Sequence, residues 1–127
     1  MSRILYLPLK KEWYEMIERG VKTEEYREIK EHWVKRLTHF TYEEIETLEE
    51  LTSQLKSAEE DEWTPREVLG YYGAQLRRFD AVKFSYGYTK RTMIFECNGI
   101  TIGQGRMEWG APEVEDVFII KLGRRIE

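Results

Sequence analysis

The chain has 127 residues, of which 41% are hydrophobic and 35% charged, and its net charge is −4. That size fits a single domain, residues 1–127, around one core, with a composition ordinary for a globular protein somewhat rich in charge. No apolar run approaches the ~20 residues of a membrane span, the N-terminus lacks a signal-peptide pattern, and Cys97 has no second cysteine to pair with, so a cytoplasmic protein without disulfides is expected.

Residues 3–7 (Arg-Ile-Leu-Tyr-Leu) read as a short strand ended by Pro8. A helix is expected over 10–19, because Trp13, Met16 and Ile17 fall at i, i+3 and i+4 on one face. Gly20 stops it at the usual place for a C-terminal glycine cap. A second strand is expected over 21–29. Its alternation puts Val21, Thr23, Glu25, Arg27 and Ile29 on one face, and Lys22, Glu24, Tyr26 and Glu28 on the other. Lys22 stands at the strand's start, where the pleat does not yet fix its direction. A helical turn over 31–37 would bury Trp33 and Leu37.

Residues 38–78 read as a helical insertion. Thr41 with Glu44 forms one capping box, and Thr64 with Glu67, with Pro65 at the first helical position, forms another. Ile45, Leu48, Leu51 and Leu55 make an apolar stripe after the first box. Val68, Leu69, Tyr72 and Leu76 can pack inward after the second, although Gly70 and Gly73 are positioned to kink that helix. Nine acids between Glu43 and Glu62 face a single base, Lys56; this stretch carries −8, which leaves +4 for the rest of the chain.

The remainder reads as β. Residues 81–88 alternate, with Val82, Phe84, Tyr86 and Tyr88 on one face and Lys83 and Ser85 on the other. Residues 92–97 and 100–103 flank Asn98-Gly99, a strong two-residue hairpin signal because both residues tolerate positive φ. A glycine-rich loop, 104–112, follows. Residues 116–122 close the chain as an apolar strand buried on both faces. The local pattern gives an α+β fold of about six short strands with helices in the connections.

The stretch Gly20-Val21-Lys22-Thr23-Glu24-Glu25-Tyr26-Arg27 carries the chemistry. Opposite charges that share a direction on a half-buried strand mark a polar site, where plain sheet packing prefers apolar residues. Arg27 offers a planar fork for a phosphate, carboxylate or base edge. Glu25 can orient that fork or accept from an amino group, and Lys22 supplies a point charge, or a base if burial lowers its pKa. A purely structural Glu25–Arg27 pair is the alternative. His32 and His39 have no partners at ligand spacing, so neither a metal nor a cofactor is expected.

The pattern G-x-K-x-x-E-x-R, at Gly20, Lys22, Glu25 and Arg27, resembles the signature of the ASCH domain, a branch of the PUA-like superfamily. The resemblance covers the strand and helix before the motif and the strand-rich half after residue 81. It implies a small PUA-like β-barrel, with the motif residues lining the ligand cleft. It also implies binding of RNA or a modified nucleoside, for which Tyr86 and Trp109 are candidate stacking residues; base stacking is worth ~1–3 kcal/mol per base. A second reading is a hydrolase. Some ASCH proteins are amidohydrolases of acetylated cytidine, with the motif lysine as base and a threonine three residues later as nucleophile; here Glu25 occupies that position. A ribonuclease using Lys22 and Glu25 as its acid–base pair is a variant of that reading. A third is a protein-interaction adaptor that uses the acidic insertion.

Overall fold

The computed structural model describes residues 3–40, 45–58, 60 and 62–127. Pro8 does not end the first strand. Strand β1 runs Ile4–Leu9 and lies at one edge of a five-stranded sheet, followed in spatial order by Ala81–Tyr86, Thr92–Gly103, Val117–Arg125 and Glu24–Glu28. An edge strand tolerates proline because the missing N–H falls on its unpaired side. Helix α1, Lys11–Glu18, ends in a paired glycine cap. Gly20 has φ +78, its N–H reaches the Ile17 carbonyl, and the Val21 N–H reaches Met16.

That cap holds the chain in a bend through Val21, so β2 is Glu24–Glu28 rather than the longer strand expected. Helix α2, Glu31–Leu37, buries Val34 and Leu37 fully and Trp33 partly. The insertion then leaves through β3, Thr38–His39, and returns through β4, Gln75–Leu76, which pair antiparallel as a two-stranded neck. Arg77 reinforces the neck by donating from Nε to the Thr38 carbonyl at 2.9 Å.

Inside the insertion are α3, Ile45–Ser57, and α4, Pro65–Tyr71. The first capping box lies outside the described residues, as does the side chain of Ile45. The second is half formed: Thr64 Oγ1 accepts from the Glu67 N–H at 3.2 Å, while the Glu67 carboxylate meets the Thr64 hydroxyl rather than its backbone. Leu51 and Leu55 belong to the same buried cluster as Val34 and Leu37, so the insertion is packed onto the core.

Strand β5, Ala81–Tyr86, pairs parallel with β1 and antiparallel with β6, Thr92–Gly103. Asn98-Gly99 does not form a hairpin. It sits within one continuous twelve-residue strand, at a register shift between Cys97 and Ile100, with Gly99 at φ +112. Such a bulge bends the strand; residues 92–96 of β6 pair β5, and β7, Val117–Arg125, pairs β6 on both sides of the bulge, from Phe95 to Gly103. An αL-tolerant pair thus serves a bulge as readily as a turn.

Strand β7 is buried on both faces. Phe118, Ile120 and Leu122 face the main core with Leu5, Val82 and Phe84, whereas Val117 and Ile119 meet Tyr26 and Ala111 on the other side. The result is a mixed α+β structure with a curled, half-barrel sheet and four helices among the described residues. The edges, β1 and β2, are not paired to each other. No helix among the described residues is long and apolar enough to cross a membrane.

Candidate functional site

The register of β2 on β7 decides which way the motif faces. Glu25 lies opposite Ile120 and Arg27 opposite Phe118. Residues directly opposite one another share a face, so both charged side chains enter the curl of the sheet beside the main core. Tyr26, opposite Ile119, points to the outer face.

A carboxylate placed there must be paired and hydrogen-bonded, since burying an unpaired charge is very costly. Glu25 is 5% exposed and has three partners. Its Oε1 accepts from the Tyr26 N–H at 2.9 Å and lies 3.3 Å from Lys22 Nζ. Its Oε2 lies 3.3 Å from Arg27 Nη2.

Lys22 turns inward from the bend before β2, away from the face that strict alternation assigns it. Its side chain has 0% exposure. The ammonium also donates to the Trp109 carbonyl, and it lies 4.7 Å from the Tyr26 ring centroid and 5.1 Å from that of Trp13. Burial lowers its pKa below the ordinary 10.5, with the Glu25 charge opposing that shift and the Arg27 charge adding to it.

Arg27 is less enclosed, with 20% of its side chain exposed. Its Nη2 donates to the Pro8 carbonyl at 3.1 Å, and its guanidinium lies 5.1 Å from the Trp33 ring centroid. Nη1 makes no hydrogen bond among the described residues, and Nε is buried without a partner among them. Burial lowers the Arg27 pKa, against the pull of Glu25.

A cleft of about 570 Å³ opens beside this pair. Glu25, Arg27 and Trp109 line it, together with two further cations, Lys10 and Lys30. Its aromatic wall includes Trp13, Trp33 and Tyr88, the last 97% exposed. The loop bearing Trp109 is pinned rather than open. The Arg106 N–H donates to the Tyr26 hydroxyl at 3.0 Å, and Gly110, at φ +101, brings its backbone against Trp13.

Two of the sequence expectations are placed elsewhere. Lys22 lies beneath the cleft and is not part of its lining. Tyr86 is not in the lining either: it packs edge-on against Tyr14 at 5.2 Å, under the Arg91 guanidinium. The turn at Gly87, φ +57, carries Tyr88 to the cleft in its place. Nothing in the local sequence marks Lys10 or Lys30 as site residues, and Trp33, expected to be buried, instead lines the cleft beside Tyr88. Their convergence depends on α1, α2 and the turn after β5 meeting at one end of the sheet, and no local spacing encodes that.

No protein-family model matches the chain, and no curated protein or solved structure matches it.

Proposed function

We propose that the protein is an ASCH-type member of the PUA-like superfamily and that its cleft binds RNA or a modified nucleoside. The observation that carries this reading is the juxtaposition of Arg27, its Nη1 without a hydrogen-bond partner among the described residues, with Lys10, Lys30 and an aromatic wall in one cleft. The cations suit phosphate oxygens, the aromatic faces suit a base, and Glu25 suits an exocyclic amino group. The curled sheet fits a PUA-like barrel whose gap is bridged by side chains.

The sealed position of Lys22 supports binding over hydrolysis. A general base must come within hydrogen-bond reach of the proton it removes, and this ammonium is enclosed by Glu25, Trp109 and two rings. Lys22 and Glu25 serve better as the support that holds Arg27.

Three of the four tryptophans border the cleft, so intrinsic fluorescence reports its occupancy. Nucleosides, acetylated cytidine, nucleoside monophosphates and a short single-stranded RNA should each be titrated. Saturable quenching that weakens in Arg27→Ala is the expected result. The absence of any response at millimolar ligand overturns the reading, and turnover of acetylated cytidine or RNA would establish the hydrolase instead.

A further inference from the structure

The cleft has a basic neighbour along the same sheet edge. A groove of about 530 Å³ is lined by Arg3, Lys35, Arg36 and Arg77, with Ile4 and Leu5 of β1 forming its floor. No acidic residue is in its lining. None of the four cations forms a salt bridge among the described residues, in contrast to Lys22, Arg27, Arg91, Arg106 and Arg124.

The groove and the cleft are joined by β1 itself. Arg36 Nη2 donates to the Tyr6 carbonyl at 3.3 Å, and Arg27 Nη2 donates to the Pro8 carbonyl at 3.1 Å. These are successive outward carbonyls of the edge strand, spaced about 7 Å apart at the usual strand rise. Both guanidiniums also contact one ring, lying 5.1 Å (Arg27) and 5.6 Å (Arg36) from the Trp33 centroid. On β1, Ile4, Tyr6 and Pro8 share a face. Ile4 lines the groove, Pro8 lines the cleft, and between them Tyr6 is 55% exposed.

An exposed aromatic between two cationic pockets, along a strand edge, has the elements of a single-strand track: charge for the backbone and a flat face for a base. We infer that the ligand of the cleft is a single-stranded oligonucleotide, whose backbone leaves the cleft along β1, passes Tyr6 and enters the Arg3/Lys35/Arg36/Arg77 groove. This rests on the nucleic-acid reading of the cleft and selects the strand over the free nucleoside. Arg36 and Arg77 are held by the Tyr6 and Thr38 carbonyls, and the Asp80 carboxylate meets the Arg3 backbone N–H, so none of the four cationic side chains is paired with a carboxylate among the described residues. A phosphodiester gains that charge without displacing an ion-pair partner.

The test compares uridine monophosphate with fluorescein-labelled oligouridylates of increasing length, by fluorescence quenching and anisotropy at several salt concentrations. Affinity should rise with length until the groove is filled. Arg3→Glu combined with Lys35→Glu alters two exposed side chains outside the cleft. It should weaken the longer oligomer by at least tenfold at low salt, leave the monophosphate within about twofold, and reduce the log–log salt slope by about 1.4, from ~0.7 per phosphate contact on a single strand. Tyr6→Ala should weaken the oligomer by about tenfold, within the ~1–3 kcal/mol measured for one stacked base. A monophosphate bound as tightly as the oligomers overturns the track while leaving the cleft reading intact. Failure of every nucleic-acid probe overturns both. Duplex RNA bound as tightly as single strands, or anionic phosphatidylserine vesicles bound in preference to RNA and released by the double variant, would also overturn the track. Unchanged thermal unfolding of the variants keeps the comparison interpretable.

Discussion

Arg27 on β2 donates a hydrogen bond of 3.1 Å to the carbonyl of Pro8 on β1, and so joins the two edges of the sheet. Pro8 has no N–H to offer the ladder, but its carbonyl remains an acceptor. The same guanidinium pairs with Glu25 and faces the cleft. One side chain therefore joins the two sheet edges and presents charge to the cleft.

Arg27→Ala should cost about 2–4 kcal/mol in urea unfolding, below or near the loss from breaking a fully buried pair, because Lys22 still faces Glu25. Arg27→Lys should be milder in stability. It should still weaken ligand binding, since a single ammonium cannot bridge Pro8 and Glu25 and also offer a planar fork. Equal binding by wild type and Arg27→Lys would show that only the charge matters.

Lys22→Met keeps the length and apolar stem of the side chain. It leaves the Trp109 carbonyl without its donor and removes one partner of Glu25. A loss of about 1–3 kcal/mol is expected, the usual consequence of an unsatisfied buried group. A variant as stable as wild type that had lost only a catalytic turnover would reverse the assignment of Lys22 as a support.

Alkaline stability should carry a signature of Tyr26. Burial is the main cause that pushes its phenol up to about 12, with Glu24 adding and the Arg106 N–H opposing. The folded value lies above the unfolded one of about 10, so this contribution is intact below pH 10 and is lost as pH rises toward 12. Tyr72 acts in the same direction, pushed up to about 12 by burial and then by Glu50. Lys22 acts oppositely. Its folded pKa is lowered, so stability gains as pH rises from that value to the ordinary 10.5. Unfolding measured at stepped pH should therefore fall less steeply between about 10 and 12 in Tyr26→Phe than in wild type; identical slopes would contradict the buried phenol.

Leu51→Ala should destabilise the whole molecule by about 2–5 kcal/mol, as expected for a fully buried leucine. Leu51 shares its cluster with Val34 and Leu37 next to the sheet. Far-UV circular dichroism and tryptophan fluorescence should report one coincident transition. Two separate transitions would show that the insertion unfolds independently.

Gly105→Ala tests the pinned loop. A Cβ there would lie 2.5 Å from Tyr26 Cε1 and 2.8 Å from the Ala111 Cβ. The loop must shift, at a cost of about 1–3 kcal/mol for overpacking, and Trp109 shifts with it. Ligand affinity should fall together with stability; unchanged affinity would mean that the position of Trp109 is unimportant to the cleft.

The sequence by itself determined what local physics decides. The glycine cap after α1 follows from Gly20, the Thr64 cap from its hydroxyl, and the two-sided burial of β7 from the unbroken apolar run Val117–Phe118–Ile119–Ile120. Strand alternation alone put Glu25 and Arg27 on one face. Tertiary structure decided the rest. The bend after Gly20 turned Lys22 under Glu25, against the alternation expected for a strand starting at Val21. Whether Asn98-Gly99 made a turn or a bulge depended on β7 being available to pair the second half of β6. The cleft itself required Lys10, the neighbouring Arg27 and Lys30, and Tyr88, from three separate parts of the chain, to meet at one end of the sheet. Caps and alternation arise from neighbours a few bonds away, whereas a cleft arises from the packing of elements on a shared core, which short-range spacing does not specify.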